Sequence, residues 1–149
     1  MTKSQVLDQL KRVADQYHAA RFAVGQALSV AMQTPHGLPA TIRPNDLRLC
    51  LNRLEATYFV MLFAEFESAI RYVWKAQCRK MTRPPMEILL DRIAAKAYVT
   101  DTDLRQVHSV RRYRNFLVHG EDFAESVTLE KAQSLLARFF YFMHGPWRV

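Results

Sequence analysis

The sequence predicts an all-α fold, a four- to five-helix up-and-down bundle forming one domain over residues 1–149, and three observations carry that reading. Half of the 149 residues are hydrophobic, only four are glycine, and there is little alternating β-branched pattern. Apolar residues recur at helical spacing in five stretches. Between those stretches stand residues that start or stop helices. A chain of this length buries a real core.

Thr2 and Gln5 have the spacing of a capping box, and Val6, Leu7, Leu10, Val13, Ala14, Tyr17, Val24 and Leu28 continue a helix to about Gln33. Pro35, Gly37, Pro39 and Pro44 then deny the helix its donors and dihedrals, so the chain can reverse between Thr34 and Pro44. Asn45 is the expected N-cap of a second helix running to about Lys80. From Tyr58 to Ala64 that helix is apolar on every side, which requires cover from neighbours all round or from a second subunit and makes it the expected centre of the fold. Thr82-Arg83-Pro84-Pro85 stops it and starts a shorter third helix, whose apolar positions are Met86, Ile88, Leu89, Ile93 and Ala94 and whose end is near Tyr98.

Thr100 and Asp103 cap a fourth helix that Gly120 ends. An acidic loop with Glu121, Asp122 and Glu125 follows. Thr128 then caps a fifth helix through Ala132, Leu135, Leu136, Phe139, Phe140 and Phe142, terminated by Gly145-Pro146. Trp74, Trp147 and the Phe139-Phe140-Tyr141-Phe142 cluster read as core or interface, and no role falls to His18, His36 or His144.

A formal charge of +7 and a pI near 9.7 imply attraction to polyanions, either nucleic acid or an acidic protein. Cys50 and Cys78 form no C-x-x-C or Cys/His cluster, so no metal site and no cofactor are expected, and both read as inert core thiols. The N-terminal stretch lacks a hydrophobic signal core, and the longest apolar run, Tyr58 to Ala64, is too short to span a bilayer; the expectation is a cytoplasmic protein without a membrane partner.

The positive charge concentrates in the fourth helix. Arg105, Arg111, Arg112 and Arg114 lie with His108 and His119 in a segment free of acidic residues. At about 100° per residue, Leu104, Val107, Val110, Tyr113, Leu117 and Val118 share the apolar side, while His108, Arg111, Arg112, Asn115 and His119 form a polar stripe opposite. Arg114 falls in the apolar side. A guanidinium there needs a carboxylate or phosphate partner, or a cleft edge, and Glu67 on the second helix is the preferred partner, with Glu65 second. Glu67 also stands one turn before Arg71, where the alternative is a surface ion pair.

Arg114-Asn115-Phe116-Leu117-Val118-His119, followed by Gly120, matches R-N-x-x-x-H and resembles the signature of the HEPN superfamily (higher eukaryotes and prokaryotes nucleotide-binding domains). Its place near the end of a late helix in a small all-helical chain, with one amphipathic helix after it, is similar to that family's architecture. The resemblance implies a HEPN-like bundle that dimerises so that two motifs face one cleft. It implies metal-independent RNA cleavage of the toxin or phage-defence kind, by attack of the 2′-hydroxyl on the adjacent phosphorus. His119 would move the proton, since imidazole is suited to acid–base work, and Arg114 would stabilise charge on the phosphate. Asn115 would orient the imidazole or bind a phosphate oxygen. Arg105, His108, Arg111 and Arg112 would line the approach for RNA. An antitoxin or defence-system protein is the other partner implied. In the nucleotidyltransferase-paired toxins a tyrosine commonly follows the motif histidine by two places; here that place is Glu121, so regulation by tyrosine modification is not expected, although Tyr113 is nearby.

Other readings stay open on the residues alone. His119 serves equally as a helix C-terminal residue beside the last carbonyls, Arg114 as half of a structural ion pair, and Arg111 and Arg112 as a solvated face. The fold would then be a non-catalytic RNA- or nucleotide-binding module, or a basic adaptor for an acidic protein.

Overall fold

Thr2 opens the first helix with the reciprocal bonds its spacing allows: the Gln5 amide donates to Thr2 Oγ1 at 3.2 Å and the Thr2 amide donates to Gln5 Oε1 at 2.7 Å. The structure, a computed structural model, describes residues 1–34, 37–78, 82–120 and 124–143, with Gln77 and Cys78 placed by backbone alone. Within these the helices are α1 (Lys3–Gln33), α2 (Pro44–Cys78), α3 (Met86–Ala97), α4 (Asp101–His119) and α5 (Leu129–Phe142). Thr100 and Thr128 cap α4 and α5, accepting from the amides of Asp103 and Lys131. Glu55 of α2 adds an acceptor for the Leu129 amide at 3.0 Å, so the first turn of α5 is satisfied from its own cap and from a neighbour. Gly120 takes φ 66° after α4 and its amide bonds to the Phe116 carbonyl, a backbone setting in which a side chain would be strained.

Contacts between elements fix the directions. Met1 N lies 3.0 Å from the Tyr72 hydroxyl and Arg48 reaches Met32, so α1 and α2 are antiparallel. α5 runs antiparallel to α1, with His18 beside Glu130 at one end and Lys3 Nζ donating to the Tyr141 carbonyl at the other. α4 runs antiparallel to α5, its start held to that helix's end by Asp103 and Arg138. The four long helices thus alternate in direction, and the short α3 lies alongside α2 and antiparallel to α4.

α2 packs against all four other helices, and the reason is its aromatic side. Phe59, Leu62, Phe63, Phe66 and Ile70 are buried, and Phe66 meets the edges of Phe139 and Phe140 at ring-centroid distances of 5.8 and 5.3 Å. Each such aromatic pair contributes roughly 0.5–1.5 kcal/mol beyond area burial. Cover is not complete all round, however: Met61 and Ala64 of the apolar run are exposed. Among the described residues the far half of the α1–α2 hairpin lacks a third layer. Beyond Tyr17, Ala31 alone of α1 is buried, and Phe22 is 69% exposed.

Several local expectations are corrected. Asn45 is not the cap of α2; Pro44 occupies the first turn, where its missing N–H costs nothing, Arg43 supplies the first carbonyl acceptor, and Asp46 reaches back to the Arg43 amide at 3.3 Å. Ile88 is exposed whereas Leu90 is buried, and Val118 is exposed at the end of α4. Cys50 is an exposed free thiol rather than a core residue. The expected end of α2 at Lys80, the acidic residues Glu121 and Asp122, Gly145-Pro146, Trp147, His36, His144 and the Cys78 side chain lie outside the described residues. No helix among the described residues is long and apolar enough to cross a membrane.

Asp103, 2% exposed, accepts from the Thr100 hydroxyl at 2.6 Å and lies 2.7 Å from Nε of Arg138, whose side chain is 57% exposed. The pair is therefore asymmetric. Arg138→Met leaves a buried carboxylate with less compensation and should cost on the order of 2–4 kcal/mol, whereas Asp103→Asn leaves a guanidinium that swings into water and should cost about 1–2 kcal/mol. Urea unfolding of both variants checks the order. Tyr98, at φ 55° and exposed, closes α3 in the left-handed region; Tyr98→Gly should raise stability by about 0.5–1 kcal/mol, read in the same titrations.

Candidate functional site

α4 is held from two sides, and this divides its basic residues. From α3, Glu87 Oε2 lies 3.1 Å from Arg111 and Asp91 Oδ1 lies 2.8 Å from His108 Nε2. The 87/91 and 108/111 spacings meet because the two helices run antiparallel, each presenting one turn to the other. His108 and Arg111 are 14% and 17% exposed while their acids are more than half exposed, so the imidazole and guanidinium lie in the seam and the carboxylates on its rim. These two residues, expected to line an approach, are tied to α3. Arg105 is exposed in the first turns of α4, bonding the Asp101 carbonyl and the Thr102 hydroxyl, and lies roughly 13 Å along the axis from Arg114. Arg112 is exposed.

On the other side α4 meets the aromatic face of α2. Tyr113 packs edge-on against Phe59 at 5.0 Å, and the Arg114 guanidinium sits 5.9 Å from the Phe63 ring centroid. Glu67 is not its partner, which corrects the preferred pairing. Both Nε and an Nη of Arg71 lie within 2.9 Å of Glu67 Oε1, and Arg71 also donates to the Pro84 carbonyl, so the acid is taken by the local i,i+4 neighbour. No carboxylate among the described residues pairs with Arg114. One Nη donates to Asn115 Oδ1 at 3.1 Å, and Nε is buried without a hydrogen-bond acceptor. The guanidinium is partly buried, and the Phe63 ring supports its plane in place of a counter-charge.

His119 is the last residue of α4 and is exposed. Helix geometry is regular up to it, so Arg114 and His119 diverge by about 140° and are about 7.5 Å apart along the axis. Within one subunit they face different ground. Asn115, expected near the imidazole or a phosphate, instead bonds the guanidinium. The role of Phe63 beneath Arg114 was not visible in the motif; the signal for it was the aromatic spacing of α2. No group of three or more His, Cys, Asp or Glu placed to hold a metal occurs among the described residues.

Because Arg114 has no ion pair to lose among the described residues, Arg114→Ala should shift stability by less than about 1 kcal/mol, the loss being confined to its packing on Phe63. A loss above about 2 kcal/mol in urea unfolding would mark it as a structural support instead. No protein-family model, curated protein or solved structure matches this chain.

Proposed function

We propose that the protein is a metal-independent endoribonuclease of the HEPN toxin or phage-defence type, acting in the cytoplasm as a homodimer. The observation that carries the reading is Arg114: a guanidinium in the motif, oriented by Asn115, resting on Phe63 and lacking a carboxylate. Phosphate is the complement such a group lacks, since guanidinium pairs bidentately with its oxygens. The strip of α2 left uncovered at Met61 and Ala64 supports a second subunit, and the divergence of Arg114 from His119 gives that subunit a function. Arg114 of one protomer and His119 of its partner would then serve one phosphate.

In this mechanism an imidazole takes the proton of the ribose 2′-hydroxyl as its oxygen attacks phosphorus. The bond from phosphorus to O5′ breaks and O5′ receives a proton, leaving a 2′,3′-cyclic phosphate and a 5′-hydroxyl. Arg114 stabilises charge on the non-bridging oxygens throughout. Arg112 and Arg105, both exposed, serve the incoming strand. An antitoxin or defence-system protein would cover the same cleft.

A second reading, a non-catalytic RNA- or nucleotide-binding or protein-interaction module, is favoured by the separation of the two motif residues within a subunit. Incubation of purified protein with RNA in excess chelator separates the two. Cleavage with cyclic phosphate ends, reduced at least about 100-fold in both Arg114→Ala and His119→Ala, is the expected result. RNA binding without cleavage by the wild type supports the module.

A further inference from the structure

A second basic site lies at the other end of α2, away from the motif. Ser68, Arg71, Tyr72 and Lys75 fall on one stripe of that helix, and Thr82 and Arg83 stand beside it to form a half-open cavity of about 360 Å³ whose wall includes Trp74. Two bonds pin the 82–84 segment to the helix: Trp74 Nε1 to the Thr82 hydroxyl at 3.4 Å and Arg71 to the Pro84 carbonyl at 3.3 Å. Arg92 and Lys96 of α3 stand over the same indole, each 5.8 Å from its centroid.

The charge here is unbalanced. Arg71 is matched by Glu67, but Lys75 and Arg83 are exposed and have no acidic partner among the described residues. Both line the cavity, and a bound anion is the complement that two cations without a described counter-charge lack. The cavity is several times larger than a phosphate ion and falls in the range of small-molecule sites. Among the described residues the rest of its lining is Tyr72 and Trp74 with the alkyl stems of the basic residues, which suits an apolar or aromatic body, while the Ser68 and Thr82 hydroxyls suit ester or sugar oxygens.

The geometry points to a binding site for a small phosphate monoester carrying a ring, with Lys75 and Arg83 on the phosphate and Tyr72 and Trp74 beside the ring. The site is separate from Arg114 and stands whether or not the motif cleaves RNA. The volume of about 360 Å³ suits one small molecule, and RNA is the alternative that the titrations below separate.

Isothermal titration of the full chain with adenosine 5′-monophosphate, phenyl phosphate, inorganic phosphate and adenosine tests this. The two ring-bearing monoesters should bind at least about tenfold more tightly than inorganic phosphate or adenosine, and Lys75→Ala/Arg83→Ala should weaken them at least about tenfold with an unchanged melting temperature. Loss of the monoester binding in Arg114→Ala would place the ligand at the motif and overturn the proposal. No heat with either monoester at millimolar concentration overturns the proposal, as does binding that the double substitution leaves unchanged. Single-stranded RNA that loses affinity in the double variant while the monoesters never bind overturns it as well, in favour of an RNA surface.

Discussion

The apolar side of α2 is the constraint on which the other helices depend. Phe59, Phe63, Phe66 and Ile70 face inward from one helix, and α1, α3, α4 and α5 each find their position by packing against part of it. Local helix propensity supplies the cylinders, but a cylinder alone is marginal in water, and burial of this shared face makes them stable together. Phe63 also reaches beyond the core: buried itself, it presents its ring to Arg114 and so links the packing of the bundle to the partly buried guanidinium of α4.

α3 sorts the charges of α4 into two groups. It holds His108 and Arg111 with carboxylates on the rim of the seam and leaves Arg105, Arg112, Arg114 and His119 without acidic partners among the described residues. The positive field of α4 is thereby weighted toward the motif. Glu67 has the converse part. By pairing with Arg71 it stays out of the motif and reduces the charge at one edge of the second basic cavity.

The helix boundaries were legible where the signal is local. Thr2 with Gln5, Thr100 with Asp103, Thr128 and Gly120 all act through atoms within four residues, and each performs as its spacing predicts. The centrality of α2 was legible too, because its apolar run needs neighbours, and the other four helices supply them on all but the strip at Met61 and Ala64. What failed depended on the neighbour across the way. Glu67 was expected to cross to Arg114, yet a helix periodicity does not say which facing residue lies at the same height, and Arg71 was nearer. Ile88 stands about 200° round the helix from Leu90, opposite the face shared by Leu89, Leu90, Ile93, Ala94 and Ala97, so a strict 100° count places it outside the buried side. His108 and Arg111 read as a free basic stripe because the acids that bind them stand some twenty residues earlier in sequence, on α3. The aromatic support of Arg114 was hidden for the same reason.

The unequal lengths of the helices divide α1 into two mechanical regimes. Up to Tyr17 it is clamped by both α2 and α5, whereas farther along it has α2 as its lateral support, with Phe22 standing clear. Backbone hydrogen bonds in the outer portion are thus protected by fewer layers, and their amides should exchange with solvent through openings that leave the inner portion intact. One continuous helix would then display a gradient of protection along its axis, with the two-helix tip as the part of the molecule most readily remodelled.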